Sequence, residues 1–259
     1  MRNLLRSEWL KVITTKLWWG LMLAAVAVAA LAVISQIANA PSLGPPGTVV
    51  PDPFIQVSNQ RSLVAAGAAG GVFALVFGII MMTTEFRHLT SRPTFLIQPR
   101  RGRVIAAKLV VAAAMGAAYG VASAVVVVAV MAPWLGTKGV SIGWVSNGLL
   151  ATLARAAVAM AIYAVVGVGV GVLVRNQLAA VIGALAFLYV IEDLFAVIPL
   201  LRGWFRLLPG PAAGALVGST SPGIGGPALT PLQGGLIFLG WGLALALGGG
   251  MLTMRHDIP

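Results

Sequence analysis

The chain has 259 residues, 59% of them hydrophobic and only 9% charged, with a mean hydropathy of +0.98 and a formal net charge of +11. A soluble domain carries roughly 25% charged residues, so that class is excluded. There is no cysteine, which removes thiol catalysis, disulfides and cysteine-ligated metals, and the two histidines, His88 and His256, stand too far apart in sequence to point to a histidine metal site.

Residues 1–16 come first. Plotted with helical periodicity, Leu5, Trp9, Val12 and Ile13 share one face and Ser7, Lys11, Thr14 and Thr15 the other, the pattern of an amphipathic helix lying on a membrane surface. Lys16, Trp18 and Trp19 follow, and with Trp9 they are expected to be interfacial anchors, since indole rings settle at the membrane–water boundary. Six apolar runs then approach or exceed the ~20 residues that cross a ~30 Å hydrocarbon core. They are about Leu17–Ile37, Leu63–Thr83, Val104–Met131, Leu149–Val174, Leu178–Pro199 and Gln233–Thr253. No period-2 alternation runs through them, so an all-α polytopic membrane protein with six transmembrane helices is expected.

Ala38-Asn39-Ala40 has the form of a signal-peptide cleavage site, but the apolar run before it exceeds the usual length of about 7–15 residues and Pro41 follows. The first run is therefore expected to remain as a span. Pro41–Arg61 reads as a proline-rich connector. The third run is long enough to begin as a helix in the headgroup region. In residues 200–232, LLRGWFRLL and PGPAAGALVG are too short to span, and one or two short re-entrant helices are expected there. No repeat of about 20–50 residues is visible, so residues 1–259 are expected to form a single transmembrane domain.

Orientation follows the lysines and arginines. With both termini inside, the inner side receives Arg2, Arg6, Lys11, Lys16, Arg87, Arg92, Arg100, Arg101, Arg103, Lys108, Arg175 and Arg255, and the outer side receives Arg61, Lys138, Arg202 and Arg206. Twelve against four places both termini and the loop 84–103 in the cytoplasm. In a soluble protein this charge would point to nucleic acid; here topology and anionic lipid account for it, and no nucleic-acid partner is expected.

The loop holds more than topology requires. Glu85, one of six acids in the chain, directly follows Thr83-Thr84 and is followed by Phe86, Arg87 and His88. A stretch this polar favours a short helix parallel to the membrane, closed by Pro99 before the RRGR cluster and suited to receive force from a cytoplasmic partner. The chain has no G-x-x-x-x-G-K-[ST] loop, no H-E-x-x-H and no G-x-S-x-G. No catalytic residue is assigned, and any ATP would be hydrolysed by a separate chain.

The order E-F-R-H-x-T, a short apolar piece, then P-R-R-G-R-V-I-A-A-K at the mouth of the next span resembles type-2 ABC transporter permeases. In that family a Glu-aromatic-Arg-x-x-Thr segment follows the second span and ends in an Arg-rich turn leading to a Lys. The chain is most similar to the small six-span permeases of high-GC Gram-positive bacteria, whose N-termini read like RSEWLKVITTKLWW, and the resemblance covers essentially the whole sequence. It implies that Glu85, Phe86, Arg87, His88 and Thr90, with Arg100 and Arg101, belong to a coupling helix docking into an ABC ATPase subunit. It further implies that ATP and Mg are held by that partner and no cofactor by this chain. A second permease subunit would complete a homodimer or heterodimer in the bacterial cytoplasmic membrane. Two departures stand out: Leu89 where a Gly is common, and Pro93 interrupting the helix.

Three ionisable residues fall inside spans, where such groups are functional candidates by default. Arg155, and Glu192 beside Asp193, each lie about seven residues in, ~10 Å below the outer boundary at 1.5 Å per residue. Antiparallel neighbours at that depth are expected to form a charge pair or gate, with Arg202 and Arg206 as alternative partners and snorkelling to the headgroups as the plainer reading. Gly67-x-x-x-Gly71, Gly116-x-x-x-Gly120 and Gly167-x-x-x-Gly171 have the spacing that lets helices approach closely in lipid.

The expected function is that of a permease subunit of an ATP-driven exporter for an amphipathic, lipid-like or drug-like cargo. One alternative is a proton-coupled secondary transporter using Glu192 or Asp193. Against it, the halves show no matched broken helices. Another is a membrane scaffold subunit that does not transport.

Overall fold

A computed structural model describes residues 2–39, 53–87, 101–219 and 226–255. Every regular element among them is helical. Six segments are long and apolar enough to cross a membrane: Leu17–Ala38, Val57–Thr84, Gly102–Thr137, Leu149–Leu173, Gln177–Val197 and Pro231–Met251. The chain is a multi-pass membrane protein.

Helix α1 (Arg2–Thr14) leads by a bend at Thr15-Lys16 into α2 (Leu17–Ala38). The inward stripe of α1 is Leu5, Glu8 and Val12. Trp9 and Ile13, expected on the same face as Leu5 and Val12, instead point outward beside Leu10. The bend is held by the Thr14 and Thr15 hydroxyls, which donate to the Leu10 and Val12 carbonyls at 2.8 Å each and so satisfy acceptors that a helix end leaves open. Span α2 buries only Ala25, Ala29 and Val33, one narrow stripe, while Leu23, Leu31 and Ile34 face outward.

The second span has three parts: α3 (Val57–Ala65), a 3-10 segment (Ala66–Gly70) and α4 (Gly71–Arg87). It begins six residues before the expected Leu63. The polar run Ser58-Asn59-Gln60-Arg61 hides that start. Buried Gln60 donates to the Phe54 carbonyl at 2.8 Å, and Arg61 Nε donates to the Asn147 carbonyl at 2.7 Å. The connector after the first span is correspondingly shorter than Pro41–Arg61.

Helix α5 (Arg101–Thr137) has 37 residues and so a length of about 55 Å, well beyond a ~30 Å hydrocarbon core. Helix α6 (Leu149–Leu173) follows Gly148, whose φ of 70° is the left-handed conformation glycine adopts without strain. The fifth span is α7 (Gln177–Ala186), a π-helical turn (Phe187–Ile191) and α8 (Glu192–Val197). Two short helices, α9 (Arg202–Phe205) and α10 (Pro209–Val217), precede the last span, α11 (Pro231–Arg255). Pro209 opens α10 and Gly218, φ 83°, closes it, as expected for Pro at a helix start and Gly past its end.

Helix α6 is the hub, because its small residues admit neighbours on several sides. Against α5, a Cβ on Gly116 would stand 2.5 Å from the Met160 carbonyl oxygen, and one on Gly120 would overlap Ala157. Against α11, a Cβ on Gly169 would meet Leu245 at 2.8 Å. Against α4, Gly78 and Gly167 bring backbone onto backbone. In lipid such packing, not water exclusion, drives helix association. Spans α2 and α7–α8 are the periphery, with outward Leu23, Leu178 and Ile182.

Candidate functional site

Two charged nodes sit at opposite ends of the bundle. The first joins α1 to α5. Glu8 is 2% exposed and Lys108 1%, and Lys108 Nζ donates to Glu8 Oε2 at 2.5 Å. Lys11, half exposed, binds the other oxygen, Oε1, at 2.6 Å. Helical spacing dictates this arrangement: Glu8 stands between Leu5 and Val12 on the buried stripe, and an acid carried there needs a cation. Lys108 lies seven residues after Arg101, where α5 begins, or roughly 10 Å along the helix. Further along α5, the Tyr119 hydroxyl donates to the Trp18 carbonyl at 2.8 Å. Trp18 and Trp19 stack with ring centroids 4.3 Å apart. Trp19 and Trp9 are exposed.

Of the expected coupling residues, Glu85, Phe86 and Arg87 form the last turn of α4 and Arg101 the first residue of α5. His88, Thr90 and Arg100 lie outside the described residues. The ends of α4 and α5 flank that stretch at the α1 end of the bundle.

The second node is built on Glu192, 4% exposed at the start of α8. The Gly210 N–H donates to Glu192 Oε1 at 2.9 Å. That N–H belongs to the first turn of α10, where backbone donors lack intrahelical partners and the helix dipole favours an anion. A Cβ on Gly210 would overlap Glu192 Oε2, so the carboxylate can approach only because residue 210 is glycine. Among the described residues no ion pair joins Arg155 to Glu192. Arg155 is half-buried on α6 and Asp193 is exposed. Helix α10 supplies the reason: it packs Ala212 and Ala213 into the core cluster that holds Ala156 and Ala159 of α6, and it offers the nearer electrostatic partner. Truncating the acid with Glu192→Ala is expected to cost about 1–3 kcal/mol by leaving a buried donor open. Deuterium uptake should rise in residues 209–217 before it rises in α6.

Two cavities flank α10 and share Gly210, Gly214 and Ser219. One, about 260 Å³, is lined by Glu192, Asp193 and Arg206. The other, about 330 Å³, is lined mostly by small residues of α3, the 3-10 segment, α6 and α10, with Tyr163 and with Gln36 of α2. No group of three or more metal-ligating side chains occurs among the described residues.

Sequence reasoning assigned no role to Glu8 and used Lys108 only as a topological charge and as the Lys closing the P-R-R-G-R-V-I-A-A-K run, without pairing the two. The signal was present: Glu8 falls at i+3 from Leu5 and i−4 from Val12, so it shares their face. Compared with known proteins, the chain matches no protein-family profile and no curated protein.

Proposed function

We propose that the protein is the permease subunit of an ATP-driven exporter, acting with a separate ATPase. The observation that carries this reading is the residue order between the second and third spans: Glu85-Phe86-Arg87-His88 with Thr90, then Pro99-Arg100-Arg101-Gly102-Arg103 leading to Lys108. In this reading α1 lies on the inner membrane surface, anchored by outward Trp9 and Trp19. Residues 84–103 dock the ATPase from the cytoplasm, and α9 and α10 are re-entrant from the outer side. Both termini are cytoplasmic, and a second permease subunit faces this one.

The packing gives the reading a mechanical route. A push on the docking loop is delivered to α4 at Arg87 and to α5 at Arg101. From α5 it passes through Lys108 to Glu8, and so to α1. From α4 it passes to α6 through the glycine crossing. The cargo is amphipathic, in keeping with a small-residue cavity and a charged one side by side on α10.

The test is affinity purification of the chain from its native membranes in mild detergent, beside a Glu85→Ala, Arg87→Ala variant matched for expression. A roughly stoichiometric nucleotide-binding subunit should accompany the parent and be lost from the variant. Retention by the variant would move the docking surface elsewhere. Absence from both, with complex-preserving conditions verified on a known ABC exporter, would overturn the exporter reading in favour of proton coupling.

A further inference from the structure

We infer that the cavity between α8, α9 and α10 is a binding site for an aminophosphate zwitterion, the chemistry of a phosphatidylethanolamine headgroup. The cavity, about 260 Å³, has walls of opposite charge: Glu192 and Asp193 from α8, and Arg206 from the end of α9. Among the described residues no ion pair within 4 Å joins Arg206 to either acid. Arg206 Nε is buried without a hydrogen-bond partner, and its Nη1 reaches the Pro227 carbonyl only at 3.5 Å. A buried guanidinium nitrogen without an acceptor is rare, because the missing bond costs free energy. Arg206 as a whole is half-buried, whereas Glu192 is buried, with the Gly210 N–H as the donor to one of its oxygens.

A ligand with a phosphate at one end and an ammonium at the other is complementary to both walls at once. The guanidinium fork matches phosphate oxygens, and the carboxylates match the ammonium. An anionic ligand without an amine would face the acids with no positive charge, and a simple cation would face Arg206 with no negative one. The place also fits a lipid. Glu192 lies five residues before Val197, where the fifth span ends, or about 7–8 Å along the axis, the depth at which headgroup meets acyl chain. The cavity on the other side of Gly210 and Gly214 is lined mainly by alanine and glycine, with Gln36, Ser62 and Ser219 as its polar members, and could take the start of a chain. This inference does not rest on the exporter reading, since a resident lipid and a transported one would occupy the site alike.

The experiment uses the purified full chain in detergent and native mass spectrometry to count retained short-chain lipid. The probes are dihexanoyl-phosphatidylethanolamine, dihexanoyl-phosphatidylglycerol and free phosphoethanolamine as competitor. The parent should retain the ethanolamine lipid over the glycerol lipid by about tenfold, the scale of one charge-assisted hydrogen bond. Glu192→Gln, which keeps an acceptor for Gly210, should bring that preference near unity. Arg206→Gln should weaken retention of both lipids. Asp193→Asn, at an exposed position, carries the same test as Glu192→Gln if the latter fails to fold. Equal retention of both lipids by the parent would overturn the site, as would a preference that survives both acid substitutions. Displacement by free phosphoethanolamine at equal concentration would uphold the site and assign it to a soluble zwitterion; lack of displacement would assign it to lipid.

Discussion

Lys108→Met is expected to be among the most damaging single substitutions in the chain, lowering stability by about 3–5 kcal/mol. The side chain is 1% exposed and its ammonium binds Glu8 across a hundred residues of sequence. Methionine matches the aliphatic stem, so the cost comes from the carboxylate left behind, desolvated and short of its closest counter-charge. Glu8→Leu should also cost stability, because it removes the carboxylate to which the Lys108 ammonium donates. The double variant Glu8→Leu, Lys108→Met should cost much less than the sum, because a buried pair replaced by apolar groups of similar volume is often neutral. Lys11→Ala, by contrast, removes a partner that is 49% exposed and should cost no more than about 1 kcal/mol after solvent screening. Thermal unfolding followed by tryptophan fluorescence reports the series, since Trp9, Trp18 and Trp19 all lie on α1 and α2. Additive single effects would mean that the pair does not hold α1 to α5.

The contrast between that pair and the spans shows what a sequence of this kind discloses. Spans are legible because lipid imposes one demand, about 20 apolar residues in a row. The expected Leu17–Ile37 and Leu149–Val174 therefore meet the observed Leu17–Ala38 and Leu149–Leu173 to within a residue. The demand fails where polar residues are buried by specific bonds, and the start of α3 was lost for that reason, with Gln60 bound to the Phe54 carbonyl. Pairing is harder, because periodicity gives a face and not a partner. Depth alone brought Arg155 and Glu192 together on paper. Glu192 meets Gly210 instead, because α10 folds back and presents an N–H that depth counting cannot see. A buried acid preceding a Pro-Gly-Pro helix start is the pattern to look for. The expected coupling segment rests on an order of residues alone, and its central part, His88 to Arg100, lies outside the described residues.

Gly167→Ala is expected to be nearly as damaging as loss of the ion pair, although it adds a single methyl group. On this glycine a Cβ would overlap the carbonyl oxygen of Leu75, and on Gly78 of α4 it would overlap that of Ala164. The obstructing atoms are backbone, so no rotamer change can relieve the contact, and the helices must move apart. Overpacking of a tight core costs about 1–3 kcal/mol, occasionally more, and here the separation would also weaken the neighbouring approach of Gly171 to Met82. Gly183→Ala on α7 and Gly240→Ala on α11 are the controls, for nothing lies within 4 Å of a Cβ at either position. Alanine is the better helix former by about 1 kcal/mol, so both should hold or raise the melting temperature. The Gly78 crossing stands seven residues before Glu85 on the same helix, with Arg87 at its end. A crossing this close cannot slide without repacking, so under the proposed coupling α4 and α6 should move as one body. Under the proposed exporter function, a milder opening such as Gly171→Ala, with Met82 Cβ at 2.8 Å and Ile79 O at 3.0 Å, should therefore lower the ATPase activity of the complex with the partner subunit at temperatures where the protein is still folded. Equal melting temperatures for Gly167→Ala and Gly183→Ala would refute the close crossing and that mechanical inference together.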